Sequence, residues 1–185
     1  MMKTKFIDKE IKYIGSQLSP HWIYKNFNIQ GDAIVAFIGE CEVKLTEMVD
    51  IEDVINNEPI YSKSMLSFIT EQFNIDLVEG VLRQRLLITI IKELLEEYNI
   101  KVIRKGDDLM IDNRKLSVSI ATKSLTSILI HTGLNIISDD APVAASGLLS
   151  ELGISDIKDF ALKVMNRYVE ELEDIILAST KVRGV

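Results

Sequence analysis

The feature that most constrains this chain is a change of hydrophobic period near Ile100. Upstream, Leu77, Val78, Val81, Leu82, Leu86, Ile88, Ile91, Leu95 and Tyr98 recur at helical spacing. Asp76 precedes them with Glu79 three residues on, the pattern of a capping box. Downstream the period falls to two, over residues 101–104, 109–111, 116–122 and 127–137. The first two of these runs are joined by Lys105-Gly106-Asp107-Asp108 and the next pair by Asp112-Asn113, both good turn chemistry. A long amphipathic helix followed by short runs with tight turns predicts antiparallel strands packed on that helix. The apolar runs 33–38 and 64–70 read as two further strands, and the opening residues to about Lys12 as an edge hairpin. Two helices close the chain. One spans 142–153, with Pro142 in its first turn and Gly153 as its C-terminal cap. The other is capped by Ser155 and buries Ile157, Phe160, Ala161, Val164, Tyr168, Leu172 and Ile175. The fold class is therefore α+β, with a mixed, mainly antiparallel sheet packed with helices.

Nothing divides this pattern. No Pro/Gly/Ser-rich linker or repeat interrupts the 185 residues, so residues 1–185 are expected to form one domain. A formal charge of −7 without a long basic run argues against general nucleic-acid binding, which needs an excess of Lys and Arg to neutralise phosphates. Cys41 stands alone and cannot close an internal disulfide. The N-terminus is charged throughout, and no apolar stretch is long enough to span a bilayer. Together these predict a cytoplasmic protein with no membrane partner.

Chemistry-bearing residues concentrate in the strand-rich part. On the strand 115–122, Leu116, Val118 and Ile120 share one face, and Lys115, Ser117, Ser119 and Ala121 the other. The second face reads either as a small polar floor with a lysine to hold an anion, or as a solvated sheet face. Asp107 and Asp108 in the preceding turn are either a magnesium site beside that lysine or a charged hairpin turn. His131, Gly133 and Asn135 share one parity of their strand. A glycine there permits close approach of a ligand or of another backbone. His131 is otherwise a satisfied structural histidine. His21 and His131 are too far apart in sequence to suggest a spaced His/Cys site, so no structural metal is expected. Cys41, with no adjacent base, reads as a small buried hydrophobe.

Taken in order, residues 101–136 resemble the catalytic centre of the biotin protein ligases, in the biotin/lipoate ligase branch of the class II synthetase fold. The residues that carry the resemblance are KVIRKGDDLMI, NRKLSVSIAT and SILIHTGLNI. It implies that Lys115 takes the place of the family's essential lysine, at the acyl group and the adenylate phosphate. It places Asp108 as the turn aspartate near ATP, and Gly133 and Asn135 in the Gly-Ile-Asn motif. ATP and magnesium would be the cofactors. Two departures accompany the match. The family's Gly-Arg-Gly-Arg loop is replaced by Glu40-Cys41-Glu42-Val43-Lys44, and its ring-contacting glycine by Val118. His131 is similar to the histidine of a His-Gly strand in lipoyl-carrier octanoyltransferases, but no cysteine follows Cys41 to serve as their nucleophile. The chain also resembles a mainly archaeal family without an assigned activity.

Three functions fit these residues. One is an ATP-dependent ligase that activates a small carboxylic acid at Lys115. Another is a non-catalytic module of the same fold that binds an acid, cofactor or nucleotide. The last is a scaffold acting through a homodimer interface.

Overall fold

The computed structural model describes residues 1–139 and 141–184. A five-stranded sheet runs in the order β1 (Lys3–Ile7), β2 (Ala33–Val43), β3 (Ile60–Phe73), β8 (Ser127–Ile137), β7 (Ser117–Lys123). β1 lies parallel to β2, and every other neighbour pair is antiparallel. A second, three-stranded sheet is made of β4 (Ile103–Lys105), β5 (Asp108–Ile111) and β6 (Arg114–Lys115). The helices are α1 (Trp22–Phe27), α2 (Ile51–Asn56), α3 (Leu77–Glu97) and α4 (Ile157–Thr180). The fold is α+β, with a mixed sheet packed against helices.

The long helices α3 and α4 cover one face of the large sheet. Leu87, Ile91 and Leu94 of α3 and Phe160, Val164 and Tyr168 of α4 pack there on Ile34, Leu66, Phe68 and Leu134. The Asp76 side chain accepts the Glu79 N–H at 2.8 Å and caps α3, as its sequence predicts. Gly80 brings this helix against the sheet, because a Cβ there would collide with Cγ2 of Ile128. That approach turns Val78 and Leu82 outward, 70% and 65% exposed, so the first turns bury less than their spacing suggests. On the other face, Tyr13, Ile23 and Trp22 pack on Val35, Phe37, Met65 and Ile69.

The structure corrects several expectations. The opening residues do not form a hairpin: β1 reaches across to pair with β2, thirty residues away in register. The strands after α3 do not form one continuous sheet, since β4–β6 separate from β7 and β8. Residues 142–153 are not a helix. Their backbone groups are drawn to neighbouring strands instead. Ser146 N–H donates to Lys115 O at 3.0 Å, and Leu148 N–H to Asn135 O at 2.7 Å. The final helix is capped by Asp156 rather than Ser155, and Ile175 is 47% exposed on it. Residues 40–43 continue strand β2, past a shift of register between Gly39 and Cys41, and do not form a loop. Lys12 holds their outer side through ion pairs to Glu40 at 3.0 Å and Glu42 at 2.6 Å.

Candidate functional site

The sheet face opposite α3 and α4 is open at its β7 end. A cavity of about 580 Å³ lies there, floored by Tyr13, Met65, Val118, His131 and Asn135. Its outer wall is the connection 44–59 between β2 and β3, which contains α2.

Lys115 stands at the edge of this cavity, and its backbone is gripped from both sides. Its N–H donates to Ala144 O at 2.9 Å, while its carbonyl accepts from Ser146 N–H at 3.0 Å and from Asn135 Nδ2 at 3.4 Å. Its Nζ lies 3.0 Å from Oδ1 of Asp108, and each side chain keeps 37% of its exposure. One of the three ammonium donors is thus engaged by Asp108, and a ligand can meet the others.

Asp107 turns the other way. Its Oδ2 accepts from Gln84 Nε2 at 3.0 Å, and its Oδ1 is 3.3 Å from Arg85 Nη2. The neighbouring carboxylates therefore serve different partners and do not converge. Among the described residues there is no group of three or more His, Cys, Asp or Glu side chains placed to hold a metal. The pair does not fit a shared magnesium ion.

Ser117 and Ser119 belong to the cavity wall, but their hydroxyls point to the helix side of the sheet. Ser117 Oγ accepts from Leu109 N–H at 2.8 Å. Ser119 Oγ donates to His131 O at 3.1 Å, accepts from Gln84 Nε2 at 3.0 Å and meets Thr132 Oγ1 at 2.9 Å. Both serines line the cavity together with Val118 of the opposite face, but their hydroxyls are spent on protein partners rather than left open to a ligand. The cause is Gln84 of α3, a buried polar partner on the side where an apolar core is ordinarily expected.

His131 is buried in the floor. Its ring stacks on Tyr13, with centroids 3.8 Å apart and planes 15° apart, and its Nε2 lies 3.3 Å from Ser67 Oγ. Burial pushes its pKa down to about 3, so the imidazole is neutral. Burial raises the Tyr13 hydroxyl as well, and lifts the Cys41 thiol to about 12. That leaves Cys41 a packing residue in β2. Gly133 does not open room for a ligand, because the Met65 thioether fills the space a side chain there would take. Asn135 remains in the cavity wall and ties β8 to Lys115.

Sequence reasoning overlooked the connection 44–59. It carries Glu47, Asp50, Glu52, Asp53 and Glu58 against Lys44, and all five acidic residues line the cavity. The carboxyl of Asp53 is raised by burial first, then by Asp50, with Glu58 and Asp108 adding to the shift and Lys115 opposing it. Charge density within one short connection was the signal that could have found it.

Comparison with solved structures defines the class first. The fold is that of the biotin and lipoate protein ligases. A biotin protein ligase from Aquifex aeolicus in complex with biotin and ATP superposes with a TM-score of 0.61 at 19% identity, covering 91% of this chain and 70% of that one. A putative lipoate protein ligase from T. acidophilum with bound lipoic acid gives 0.58 at 12%, covering 91% and 84%. At such identities the likeness shows the fold alone.

Within that fold, the chain belongs to the family described as "Domain of unknown function (DUF366)", whose profile matches residues 2–183. An uncharacterised protein of Methanocaldococcus jannaschii is 40% identical over 179 residues, covering 94% of this chain and 81% of its own length. A protein of unknown function from Pyrococcus horikoshi superposes with a TM-score of 0.93 at 43% identity, each chain fully covered.

Proposed function

We propose that this protein binds a small acid in the cavity beside Lys115 and does not activate it with ATP. The observation that carries the reading is the exposed Lys115 ammonium at the rim of a cavity of about 580 Å³ on a ligase-like sheet. A lysine fixed through both its backbone groups offers a pre-positioned cation to a carboxylate.

The chemistry around it argues against adenylation. Acyl-adenylate formation concentrates negative charge on phosphate oxygens, which must be met by donors and cations. Here the positions that match the ligases' Gly-Arg-Gly-Arg loop read Glu40-Cys41-Glu42-Val43-Lys44, without an arginine, and the connection that follows them lines the cavity with five carboxylates. Like charge at that position repels a triphosphate. Asp107 and Asp108 diverge toward Arg85 and Lys115 and offer no shared position for a metal.

The ligase reading retains Lys115 itself as its support, and pyrophosphate exchange separates the two. Exchange between pyrophosphate and ATP, stimulated by biotin, lipoate or a fatty acid and abolished by Lys115→Gln, would establish ligase chemistry. The binding-module reading predicts no exchange with any of these acids.

A further inference from the structure

We infer that the protein carries a second binding site, for a small organic ammonium ion, in a cavity where α1 meets the end of β3, with the buried carboxylate of Glu71 as its counter-charge. The site is separate from the Lys115 cavity, since the two walls share no residue. Along β3, Glu71 stands about 20 Å beyond Met65 of that cavity's floor, at the rise of an extended strand.

The first observation is the cavity, which holds about 540 Å³. Its wall is largely apolar, with Tyr24, Ile29 and Phe73 beside the ring of His21. That ring stacks on Phe73, with centroids 5.9 Å apart and planes 20° apart.

The second observation is Glu71, which is 2% exposed. Its place in the alternation of β3 puts it on the face of Met65 and Ile69, away from α3 and α4. Its Oε1 accepts from the His21 N–H at 2.8 Å and from the Ser127 hydroxyl at 2.7 Å. Its Oε2 accepts no hydrogen bond among the described residues, yet it is not one of the polar atoms sealed in the interior without a partner. That oxygen therefore opens to the free space that Glu71 borders, which is this cavity. No lysine or arginine pairs with Glu71 among the described residues. A buried carboxylate is ordinarily held by a cation, and here that place is open to a ligand.

The third observation is how the carboxylate is braced. His21 has a φ of 63°, in the left-handed region that few residues other than glycine adopt, and its N–H meets Glu71. Its Nε2 lies 3.5 Å from Thr126 Oγ1, beside the Ser127 that holds the same carboxylate oxygen. One oxygen is fixed and the other presented, a pre-positioned acceptor for a charge-assisted hydrogen bond. An aromatic wall around a single carboxylate suits an ammonium on a hydrocarbon body. A hard metal ion would need roughly six oxygen ligands. Lys25 also borders the cavity, exposed and without an ion pair among the described residues, and is the competing occupant.

Benzylamine against benzyl alcohol, and hexylamine against hexanol, test the site when titrated into the full chain at neutral pH and followed by backbone amide chemical shifts. The amine of at least one pair should bind at least about tenfold more tightly than its alcohol, the scale of a hydrogen bond to a charged group. It should move the amides of His21, Gly31 and Phe73 and leave those of Lys115 and Ser117 in place. Glu71→Gln keeps an acceptor for His21 and Ser127 and should remove the preference for the amine. Lys25→Gln should bind the amine at least as tightly as the wild type. If Glu71→Gln does not fold, the wild-type shift pattern and Lys25→Gln decide. The site is overturned by equal binding of amine and alcohol, by shifts centred on the Lys115 cavity, or by a preference that survives in Glu71→Gln. Amine binding that is absent from the wild type overturns it too, and its appearance in Lys25→Gln would make Lys25 the occupant.

Discussion

Met65 lies across Gly133, its thioether occupying the space that a side chain on the neighbouring strand would need. The glycine that resembles part of a ligand-binding motif is therefore spent on internal packing. Gly133→Ala should destabilise the protein by about 1–3 kcal/mol through overpacking. Met65→Ala should cost about 2–5 kcal/mol through the void it leaves. Combined, they should cost less than the sum by at least about 0.5 kcal/mol, because each relieves the other. Urea unfolding of the three variants checks this, and simple additivity would contradict the contact.

His131 sets a pH dependence. Its folded pKa of about 3 lies below the ordinary 6.5, so the unfolded chain takes up the proton first as pH falls. Stability from this group is complete above about pH 6.5 and is lost progressively down to about pH 3. Between pH 6.5 and 5 the loss amounts to about 2 kcal/mol. His131→Phe keeps the stack on Tyr13 and removes the titration. Its unfolding free energy should therefore fall less with pH over that interval, as measured by denaturant unfolding at both values.

Much of the fold was legible because it is local. The cap at Asp76, the length of α3, and the strands β7 and β8 follow from spacing within one segment. The pairing of β1 with β2 was not legible, since it depends on a partner thirty residues away rather than on an adjacent turn. Residues 142–153 carry good helix-terminus signals, yet hydrogen bonds to Lys115 and Asn135 outweigh them. Alternation separated the two faces of β7 but could not say which one α3 covers. Ser117 and Ser119 therefore line the cavity, as His131 and Asn135 do, but spend their hydroxyls on Leu109, Gln84 and the His131 carbonyl.

Gln84 bridges Asp107 and Ser119 from inside the helix face. Gln84→Leu should cost about 1–3 kcal/mol, leaving buried polar partners unsatisfied. Ligand affinity at Lys115 should change little, because Gln84 does not line the cavity and Asp107 keeps Arg85 as its partner. A stability loss accompanied by an equal loss of binding would contradict that separation.

Asp108 competes with the ligand for Lys115. The pair is half exposed, so Asp108→Asn should change stability by less than about 1 kcal/mol. Freed of its partner, Lys115 should hold a plain acid such as octanoate up to about fivefold more tightly. Calorimetric titration of octanoate into both proteins gives the comparison, and weaker binding by the variant would assign Asp108 a supporting role instead.

The central claim is that the cavity holds an acid through Lys115. Its most direct test is thermal unfolding of the wild type and of Lys115→Gln, each with biotin, lipoate, octanoate and 8-aminooctanoate. A ligand that binds only the folded state raises the Tm by an amount that grows with the logarithm of its concentration relative to Kd. At least one of these acids should raise the Tm of the wild type and leave that of Lys115→Gln unmoved. No shift with any acid, or an equal shift in both proteins, would contradict the claim.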